Sequence, residues 1–323
     1  MTRAVRIHRF GGPEVLSLDY VEIGAPGPGE VRLRQTAIGL NFVDTYQRSG
    51  LYPQSLPFIG GNEATGVVEA LGEGVTAFQV GDRVGYATGG GAYARERLID
   101  ADRLFPLPDH IEDKLVASMM LKALTAYYLL FKTWPVKSGD VILWHAAAGG
   151  VGLIGTSWAK ALGAYVIGTA GSPEKVAAAY AAGCNAVINY REEDFVRCVK
   201  ELTDGRGVDV VYDSVGEDTF EGSLDCLRPR GLMVSFGNAS GPVAVPDLGI
   251  LARKGSLFLT RPTMSGYFLT GREIRAAAAE VFKAFDSGAF RVDLRQEWPL
   301  EDVALAHKAL EARETIGSNV LLP

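Results

Sequence analysis

A short run of small residues, Ala146 to Gly152, follows a strand-like run and begins a helical one. In the six-residue glycine pattern of dinucleotide-binding loops, Gly149 and Gly152 hold the second and third glycines, and Ala147 replaces the first. Without a side chain at Gly149, backbone N–H groups could approach a pyrophosphate, and the helix start would add unpaired donors. The alternative is a small-residue turn that only packs a helix onto a strand. The strand–helix context favours a phosphate-binding loop.

The end of the following strand distinguishes the two nicotinamide cofactors. An NAD site has Asp or Glu about 20 residues after the first glycine, to accept a hydrogen bond from the ribose 2′-OH. Here the strand ends in Gly171 and Ser172, 24 positions on (171 − 147 = 24). Ser172, Lys175 and Tyr190 could donate to a 2′-phosphate, which predicts NADPH rather than NADH. Two alternatives stay open: Glu174 could turn inward and supply the carboxylate, and Lys175 could be a solvated helix residue.

The elements around these residues change in type along the chain. The first part, to residue 120 or so, reads as short strands broken by glycine and proline, which indicates a β-rich region. From about Lys122, apolar runs alternate with alanine-rich stretches, as in the βαβ units of a parallel sheet. The predicted strands are 141–146, 165–170, 186–190, 208–215, 231–238 and 256–261. The predicted helices are 151–163, 172–183, 192–205, 272–285 and 300–313.

Composition limits the classes of function. The 323 residues are 47% hydrophobic, and 32 basic against 38 acidic residues give a net charge of −6 without a Lys/Arg run, which argues against a nucleic-acid partner. The N-terminal residues lack the apolar core of a signal peptide, and no uninterrupted apolar stretch approaches the ~20 residues of a membrane helix. Three cysteines, none in a CxxC pair, favour a cytoplasmic protein with free thiols.

Longer motifs resemble a known superfamily. Residues 66–84, which end in Gly81-Asp82-Arg83-Val84, resemble the N-terminal signature of medium-chain dehydrogenase/reductases. Residues 139–160 resemble the zinc-independent quinone oxidoreductase (zeta-crystallin-like) branch, although Ser157 stands where that branch usually has Gln. The similarity runs nearly end to end, and INYREED, VVYDSVG and LMVSFGN look like the bacterial NADPH:quinone oxidoreductases.

The resemblance implies an architecture that the residue pattern alone does not give. It implies an α/β fold in which a Rossmann doubly wound parallel sheet, residues 122–263, is inserted in a GroES-like β-rich catalytic domain, residues 1–121 plus 264–323. In similar proteins a cleft between the domains holds the nicotinamide. Homodimers that pair through the last Rossmann strand, here 256–261, are common among them.

The resemblance also assigns residues to the cofactor groove. Matching positions are Tyr128, Gly150, Val151, Val215, Phe236, Gly237, Asn238, Arg261, Pro262 and Arg313. Near the expected nicotinamide lie Asn41, Phe42, Val43, Asp44, Thr45 and Tyr46. Independently of any resemblance, Val215 and Phe236 to Asn238 follow parallel strands, where such sheets bind ligands. Arg261 and Arg313 could equally be surface charges.

Zinc ligands are missing from the positions where zinc-dependent relatives carry them. Asn41 occupies the first-ligand region, the Gly-His-Glu motif reads Gly61-Asn62-Glu63, and no cysteine precedes Cys184. A catalytic zinc requires Cys, His or carboxylate ligands in a set of three. The sequence therefore predicts no metal. His145 and His307 are interpreted as ordinary strand and helix residues.

Metal-free reductase chemistry suits acceptors that are already electrophilic, such as quinones and activated alkenes, with the hydride chemistry supplied by the cofactor. Asn41, Tyr46 and Tyr52 are the predicted catalytic residues, since a phenol can donate to a developing oxyanion. The two tyrosines could instead only pack in a loop. The predicted function is NADPH-dependent reduction of small quinones. The alternatives are reduction of α,β-unsaturated carbonyls, or a non-enzymatic NADPH-binding or RNA-binding crystallin-like role.

Overall fold

A computed structural model describes residues 1–245 and 247–323, and its Cα packing divides the chain into two compact units. Unit 1 comprises Met1–Leu124, Phe268–Phe282 and Val292–Pro323. Unit 2 comprises Thr125–Tyr267 and Lys283–Arg291.

Strands and helices are numbered in chain order. The strands are β1 (Thr2–Ile7), β2 (Leu16–Val21), β3 (Glu30–Gly39), β4 (Phe58–Ile59), β5 (Glu63–Leu71), β6 (Arg83–Tyr86), β7 (Glu96–Asp100), β8 (Phe105–Pro106), β9 (Val141–Trp144), β10 (Tyr165–Ala170), β11 (Ala186–Asn189), β12 (Val208–Asp213), β13 (Leu227–Ser235), β14 (Phe258–Thr260), β15 (Leu294–Pro299) and β16 (Ser318–Leu322). The α-helices are α1 (Phe42–Ser49), α2 (Asp113–Tyr128), α3 (Gly150–Ala161), α4 (Pro173–Ala181), α5 (Phe195–Leu202), α6 (Phe220–Cys226), α7 (Gly249–Arg253), α8 (Met264–Tyr267), α9 (Gly271–Asp286) and α10 (Val303–Glu311).

Unit 2 is built on a six-stranded sheet whose paired strands are all parallel, in the order β11-β10-β9-β12-β13-β14. Counted from β9, this order is 3-2-1-4-5-6, the Rossmann arrangement, and the direction of winding reverses between β9 and β12. The six predicted strands and the predicted α/β fold class are confirmed. Ser172 is the N-cap of α4 and Pro173 begins that helix, which lies within the predicted helix 172–183.

Unit 1 contains two sheets. One has the order β2-β1-β4, and the other runs β15-β16-β3-β5-β6-β8, with β7 also pairing with β3. Its main apolar cluster joins the inner faces of these strands to α10, with Leu33, Val84 and Leu321 fully buried. From Glu30 to Thr36 in β3, fully buried residues alternate with more accessible ones, because one face of the strand lies on this core.

Two helices depart from the β-rich prediction for the first part of the chain. The helix α1 lies between β3 and β4, and α2 begins at Asp113, nine residues before the predicted change at Lys122. The helical segment Asp113–Thr133 has mean hydropathy 1.3 and is long enough to cross a membrane, but 72% of its most apolar window is buried inside the protein. Burial in a fold accounts for the apolar composition of this segment equally well.

Candidate active site

The phosphate loop lies between β9 and α3 of unit 2. Gly149 is the N-cap of α3, and its backbone N–H donates to the Ala146 carbonyl at 2.9 Å. A Cβ at Gly152 would come within 2.3 Å of the Ala146 oxygen, so close helix–strand packing requires glycine there. Ala146 itself has a φ of 53°, in the left-handed region. The N–H groups of the first helical turn, from Gly150 through Gly152, are donors of the kind that bind a pyrophosphate.

The corner that the sequence assigns to the 2′-phosphate lies at the ends of β10 and β11. The parallel register pairs Ala170 with Asn189, which brings Gly171 beside Tyr190. A Cβ on Gly171 would lie 2.3 Å from the Tyr190 hydroxyl oxygen. Lys175 is half-buried in the first turn of α4. The structure therefore places three of the predicted donors and Gly171 at one end of the sheet.

Glu174 is exposed in the first turn of α4. Hydrogen bonds from its own backbone N–H and from the Ser172 hydroxyl lower the pKa of its carboxyl. The Ser172 oxygen also accepts from the Lys175 backbone N–H at 3.4 Å. The carboxylate thus caps the helix start rather than ending the strand, where an NAD site would have it.

Further predicted residues follow β12 and β13. The Val215 and Gly216 N–H groups donate to Asp213 Oδ1 at 2.8 and 3.1 Å. A Cβ on Gly237 would lie 2.3 Å from the Ser214 carbonyl oxygen, so the turn after β13 packs directly on the turn after β12. Phe236 and Asn238 flank that glycine and are half-buried.

The remaining residues that the resemblance assigns lie at separate places. Tyr128, at the end of α2, is buried and stacks on Tyr267, with ring centroids 4.7 Å apart. Arg261 follows β14 and donates to the Ser235 carbonyl at 2.8 Å, and the next residue, Pro262, is buried. Arg313 belongs to unit 1, follows α10 and has a φ of 60°.

A chain of hydrogen-bonded, buried side chains includes His145, which directly precedes the phosphate loop. His145, one residue after β9, has Nδ1 3.0 Å from Thr169 Oγ1 and Nε2 3.0 Å from Ser223 Oγ. Ser223 donates to Asp213 Oδ2 at 2.8 Å, and Thr219 donates to the same oxygen at 2.7 Å. Burial lowers the pKa of His145, so the ring is neutral at pH 7.

In unit 1 the predicted catalytic residues lie in helix α1 or directly beside its ends. Asn41 is its N-cap, and the Asn41 backbone N–H donates to Asp44 Oδ2 at 2.9 Å. Tyr46 and Tyr52 pack edge to face with centroids 5.2 Å apart, and Tyr52 N–H donates to the Tyr46 carbonyl at 3.0 Å. Phe42 lies 6.2 Å from the Tyr46 ring. This segment also contains the two other predicted contacts, Val43 and the buried Thr45.

The positions of zinc ligands in zinc-dependent relatives are occupied by residues that bind one another. Asn41 Nδ2 donates to Glu63 Oε2 at 2.9 Å, and the Lys122 ammonium lies 3.7 Å from that oxygen. Burial raises the pKa of Glu63, while Lys122 and Asn41 oppose the shift. Asn62 Nδ2 donates to Asp44 Oδ1 at 2.7 Å. Within residues 1–245 and 247–323, no group of three or more His, Cys, Asp or Glu is arranged to hold a metal.

A second buried histidine lies beside α1. His307 Nδ1 is 3.0 Å from Arg48 Nη1, and Nε2 is 2.9 Å from the Tyr93 hydroxyl, which donates to Asp44 Oδ2 at 2.9 Å. Arg48 also donates to Glu311 at 2.5 Å. Burial and then Arg48 lower the pKa of His307 to about 3, and burial raises the pKa of Asp44 to about 6.

This chain is similar to known proteins along its whole length. Residues 27–109 match the alcohol dehydrogenase GroES-like domain, and residues 150–284 match the zinc-binding dehydrogenase family. A quinone oxidoreductase of Pseudomonas aeruginosa is 52% identical over 325 residues, covering 100% of both chains. The chain belongs to the zinc-independent quinone oxidoreductase branch of the medium-chain dehydrogenase/reductase superfamily.

Two other relatives of this branch inform the function. The crystal structure of Escherichia coli quinone oxidoreductase complexed with NADPH has a TM-score of 0.97 at 50% identity, covering 99% of this chain and 100% of that one. A 2-haloacrylate reductase of Burkholderia sp is 48% identical over 335 residues, covering 100% of this chain and 99% of that protein.

Sequence reasoning missed the roles of the two buried histidines in this family member. His145 is not a strand residue but lies in the turn after β9, and His307 is a helix residue with two polar partners. Their partners are distant in sequence: Ser223 lies 78 positions from His145, and Tyr93 lies 214 positions from His307. The available signal was a histidine directly before the phosphate loop.

Proposed function

We propose that this chain reduces small quinones with NADPH, without a metal ion. The observation that carries the proposal is the corner formed by Gly171, Ser172 and Tyr190, where no carboxylate ends β10 and the tyrosine hydroxyl takes the space that a side chain at 171 would fill. Hydroxyl and ammonium donors suit a 2′-phosphate. The quinone oxidoreductases with about half their residues identical support the same activity.

In this proposal NADPH supplies the hydride, and the protein supplies binding and orientation. The first turn of α3, from Gly149 to Gly152, binds the pyrophosphate, and Lys175 neutralises the 2′-phosphate. The turns that contain Val215 and Gly237 flank the rest of the dinucleotide. The hydroxyls of Tyr46 and Tyr52 donate to the oxygen of the quinone as negative charge develops on it. Asn41, which donates to Glu63, fixes the start of α1.

The remaining predicted cofactor contacts belong to the same proposal. They are Phe42, Val43, Asp44, Thr45, Tyr128, Phe236, Asn238, Arg261, Pro262 and Arg313. Among them Asp44 is fully engaged inside unit 1, because it accepts from Tyr93, Asn62 and the Asn41 N–H. Its contribution is to hold α1 in place.

Oxidation of NADPH, followed by absorbance with purified protein and 1,4-benzoquinone, 9,10-phenanthrenequinone or 2-hexenal, tests the activity. Turnover of the quinones with a strong preference for NADPH over NADH is the expected result. Equal use of the two cofactors would overturn the assignment of the 2′-phosphate corner. Tight binding of NADPH without turnover of any acceptor would overturn the enzymatic function.

The Lys175→Ala variant tests the corner itself. Losing one charge-assisted contact should raise the KM for NADPH about tenfold and leave the KM for NADH within about twofold. Lys137→Ala, which removes an exposed lysine just before β9, is the matched control and should change neither constant. Equal increases for both cofactors in Lys175→Ala would contradict the proposed contact.

Reduction of activated alkenes is the second candidate function. It is favoured by the 48% identity with 2-haloacrylate reductase along the whole chain. Both acceptors take a hydride at an electrophilic carbon and leave charge on an oxygen, so the same donors serve both reactions. Turnover of 2-hexenal without turnover of quinones would favour this candidate.

We further propose the domain division 1–121 plus 264–323 for the GroES-like catalytic domain and 122–263 for the Rossmann domain. A homodimer would form through β14, which lies at one edge of the six-stranded sheet and carries Phe258 with 60% of its surface exposed. A cytoplasmic location agrees with three buried free cysteines, Cys184, Cys198 and Cys226. Sedimentation of the wild-type protein and of Phe258→Arg tests the dimer, since the charged variant should be monomeric.

A further inference from the structure

The hydrogen bonds around His145 specify the positions of its protons. Asp213 Oδ2 can only accept, so the single proton of Ser223 is directed to it. Ser223 Oγ must then accept from His145, which places the imidazole proton on Nε2. Because the ring is neutral, Nδ1 is an acceptor, and the Thr169 hydroxyl donates to it. The donors therefore run in one direction, from Thr169 through His145 and Ser223 to Asp213.

These hydrogen-bonded side chains lie just beyond the last residue pairs that β9 makes with β10 and β12. Trp144 is the final residue of β9 to pair with both β10 and β12, at Gly168 and Tyr212. His145 comes next, and its side chain bonds to Thr169 at the end of β10 and, through Ser223, to Asp213 at the end of β12. The side chains thus add lateral connections where the regular pairing of β9 ends, beside the backbone hydrogen bonds from His145 to Tyr212 and from Ala147 to Thr169.

Each strand end leads within four residues into a predicted dinucleotide contact. His145 directly precedes Ala146, the first residue of the phosphate loop, and lies four positions before Gly149. Thr169 precedes Gly171 by two residues, and Asp213 precedes Val215 by two. Asp213 also accepts from the Val215 N–H at 2.8 Å, so the turn itself is bonded to the chain. The winding reverses between β9 and β12, where such sheets bind their ligands.

We propose that His145 is a positioning residue for the dinucleotide: its imidazole holds the turns after β9, β10 and β12 at the spacing at which one NADPH molecule contacts all three. The proposal rests on the proposed NADPH-dependent function. The imidazole does not touch the cofactor, because it is 1% exposed and packs edge-on against Phe195 at 5.0 Å. It acts through the three backbone segments, and a ligand that contacts only one of them does not depend on it.

Binding of two ligands to His145→Leu separates positioning from simple loss of stability. The NADPH Kd, measured by fluorescence quenching, should rise about tenfold, because unsatisfied hydroxyls let the three turns separate. Adenosine 2′-monophosphate, whose phosphate needs only the corner at Gly171 and Ser172, should bind within about twofold of wild type. His145→Gln, whose amide carries both a donor and an acceptor, should restore the NADPH Kd to within about threefold.

His8→Leu is the matched control, since His8 is an exposed histidine paired with Asp19 in unit 1, and its NADPH Kd should not change. If His145→Leu does not fold, Thr169→Val removes only the hydroxyl that donates to Nδ1 and should weaken NADPH binding about threefold. A folded Leu variant with the wild-type NADPH Kd, or one that loses both ligands equally, would overturn the proposal. These comparisons use binding alone, so absent quinone turnover would count against the proposed function and not against this role.

The proton positions have a separate spectroscopic test. Nitrogen-15 NMR of His145 at pH 7–8 should show a neutral ring protonated on Nε2, because burial lowers its pKa. A ring protonated on Nδ1 would reverse the donor order and contradict the chain described above.

Discussion

Each unit contains one fully buried histidine that a hydroxyl group links to a buried aspartate, but the two series of hydrogen bonds begin differently. In unit 1 the chain starts at a cation, Arg48, and runs through His307 and Tyr93 to Asp44. In unit 2 it starts at the neutral Thr169. Removing the partner of a buried charge costs about 3–5 kcal/mol, whereas leaving a buried neutral hydroxyl unsatisfied costs about 1–3 kcal/mol. The comparison indicates that the unit 1 chain secures the fold, while the unit 2 chain adjusts the spacing of turns.

The locations of the two chains agree with this division. The unit 1 chain joins α1 to α10 and to the Tyr93 segment, and Arg48 also donates to the Gly11 carbonyl at 3.1 Å. The unit 2 chain joins the ends of strands that a parallel sheet already aligns, through Ser223 of α6. Disrupting the first should therefore unfold local structure, and disrupting the second should change ligand binding.

The largest effect should come from Arg48→Met. The side chain is 2% exposed, and its loss leaves His307 and the partly buried Glu311 without their donor, which should cost about 3–5 kcal/mol. Hydrogen exchange should show the loss of protection in α1 and α10 but not in β9 and β12. Arg253→Met, which breaks an exposed ion pair with Asp247, is the control at less than about 0.5 kcal/mol. Equal loss of protection in both units would break the comparison.

A smaller effect should appear in the pH dependence of stability. His307 has a folded pKa of about 3 against 6.5 when unfolded. Its contribution to the free energy of unfolding therefore becomes more favourable to the folded state as pH rises from 3 to 6.5. Asp44 has a folded pKa of about 6 against 3.8 when unfolded. Its contribution to the free energy of unfolding therefore becomes less favourable to the folded state as pH rises from 3.8 to 6. Relative to His307→Gln, the wild type should gain stability between pH 4 and 6, and relative to Asp44→Asn it should lose stability.

Urea unfolding midpoints of the three proteins at pH 4, 5 and 6 measure these differences. His145→Gln serves as the comparison from unit 2, where the aspartate of the chain accepts from Ser223 and Thr219. The change in urea midpoint between pH 4 and 6, taken as wild type minus variant, should have opposite signs for His307→Gln and Asp44→Asn. The same sign for both variants would show that the two groups do not titrate as described.

The smallest effect should come from Ala146→Gly. Ala146 has a φ of 53°, which costs an L-residue about 1 kcal/mol, and glycine removes that strain but adds freedom to the unfolded chain. A net gain of about 0.5 kcal/mol in unit 2, seen as slower exchange of the α3 amides, is expected. A loss of stability would mean that the methyl group packs usefully in the loop.

The sequence was most informative where local pattern and burial agree. All six strands of unit 2 were predicted because strands buried on both faces are continuously apolar. Ser172 and Pro173 identified the start of α4 because capping depends on neighbouring residues. Helix α1 is not predicted from the sequence, although Asn41 and Asp44 have the spacing of an N-terminal cap. The glycines and prolines around this segment favour short strands instead.

The site was predictable only in part, for a physical reason. The phosphate loop follows from a contiguous pattern, whereas the polar chains join residues far apart in sequence, such as Arg48 and His307, which are 259 positions apart. Hydrogen bonds of this kind depend on side-chain geometry that no periodicity encodes. The predicted catalytic and cofactor residues stay predictions.

The contact between Gly171 and the Tyr190 hydroxyl has a consequence for exchanging cofactor specificity. Introducing the aspartate of an NAD enzyme at position 171 would place its Cβ 2.3 Å from that oxygen, so Tyr190 would have to swing away. Tyr190 is 41% exposed and is not part of the core, so a smaller residue at this position should leave the fold intact. Specificity should therefore switch only when both positions change together, and either substitution alone should produce a poor enzyme with both cofactors.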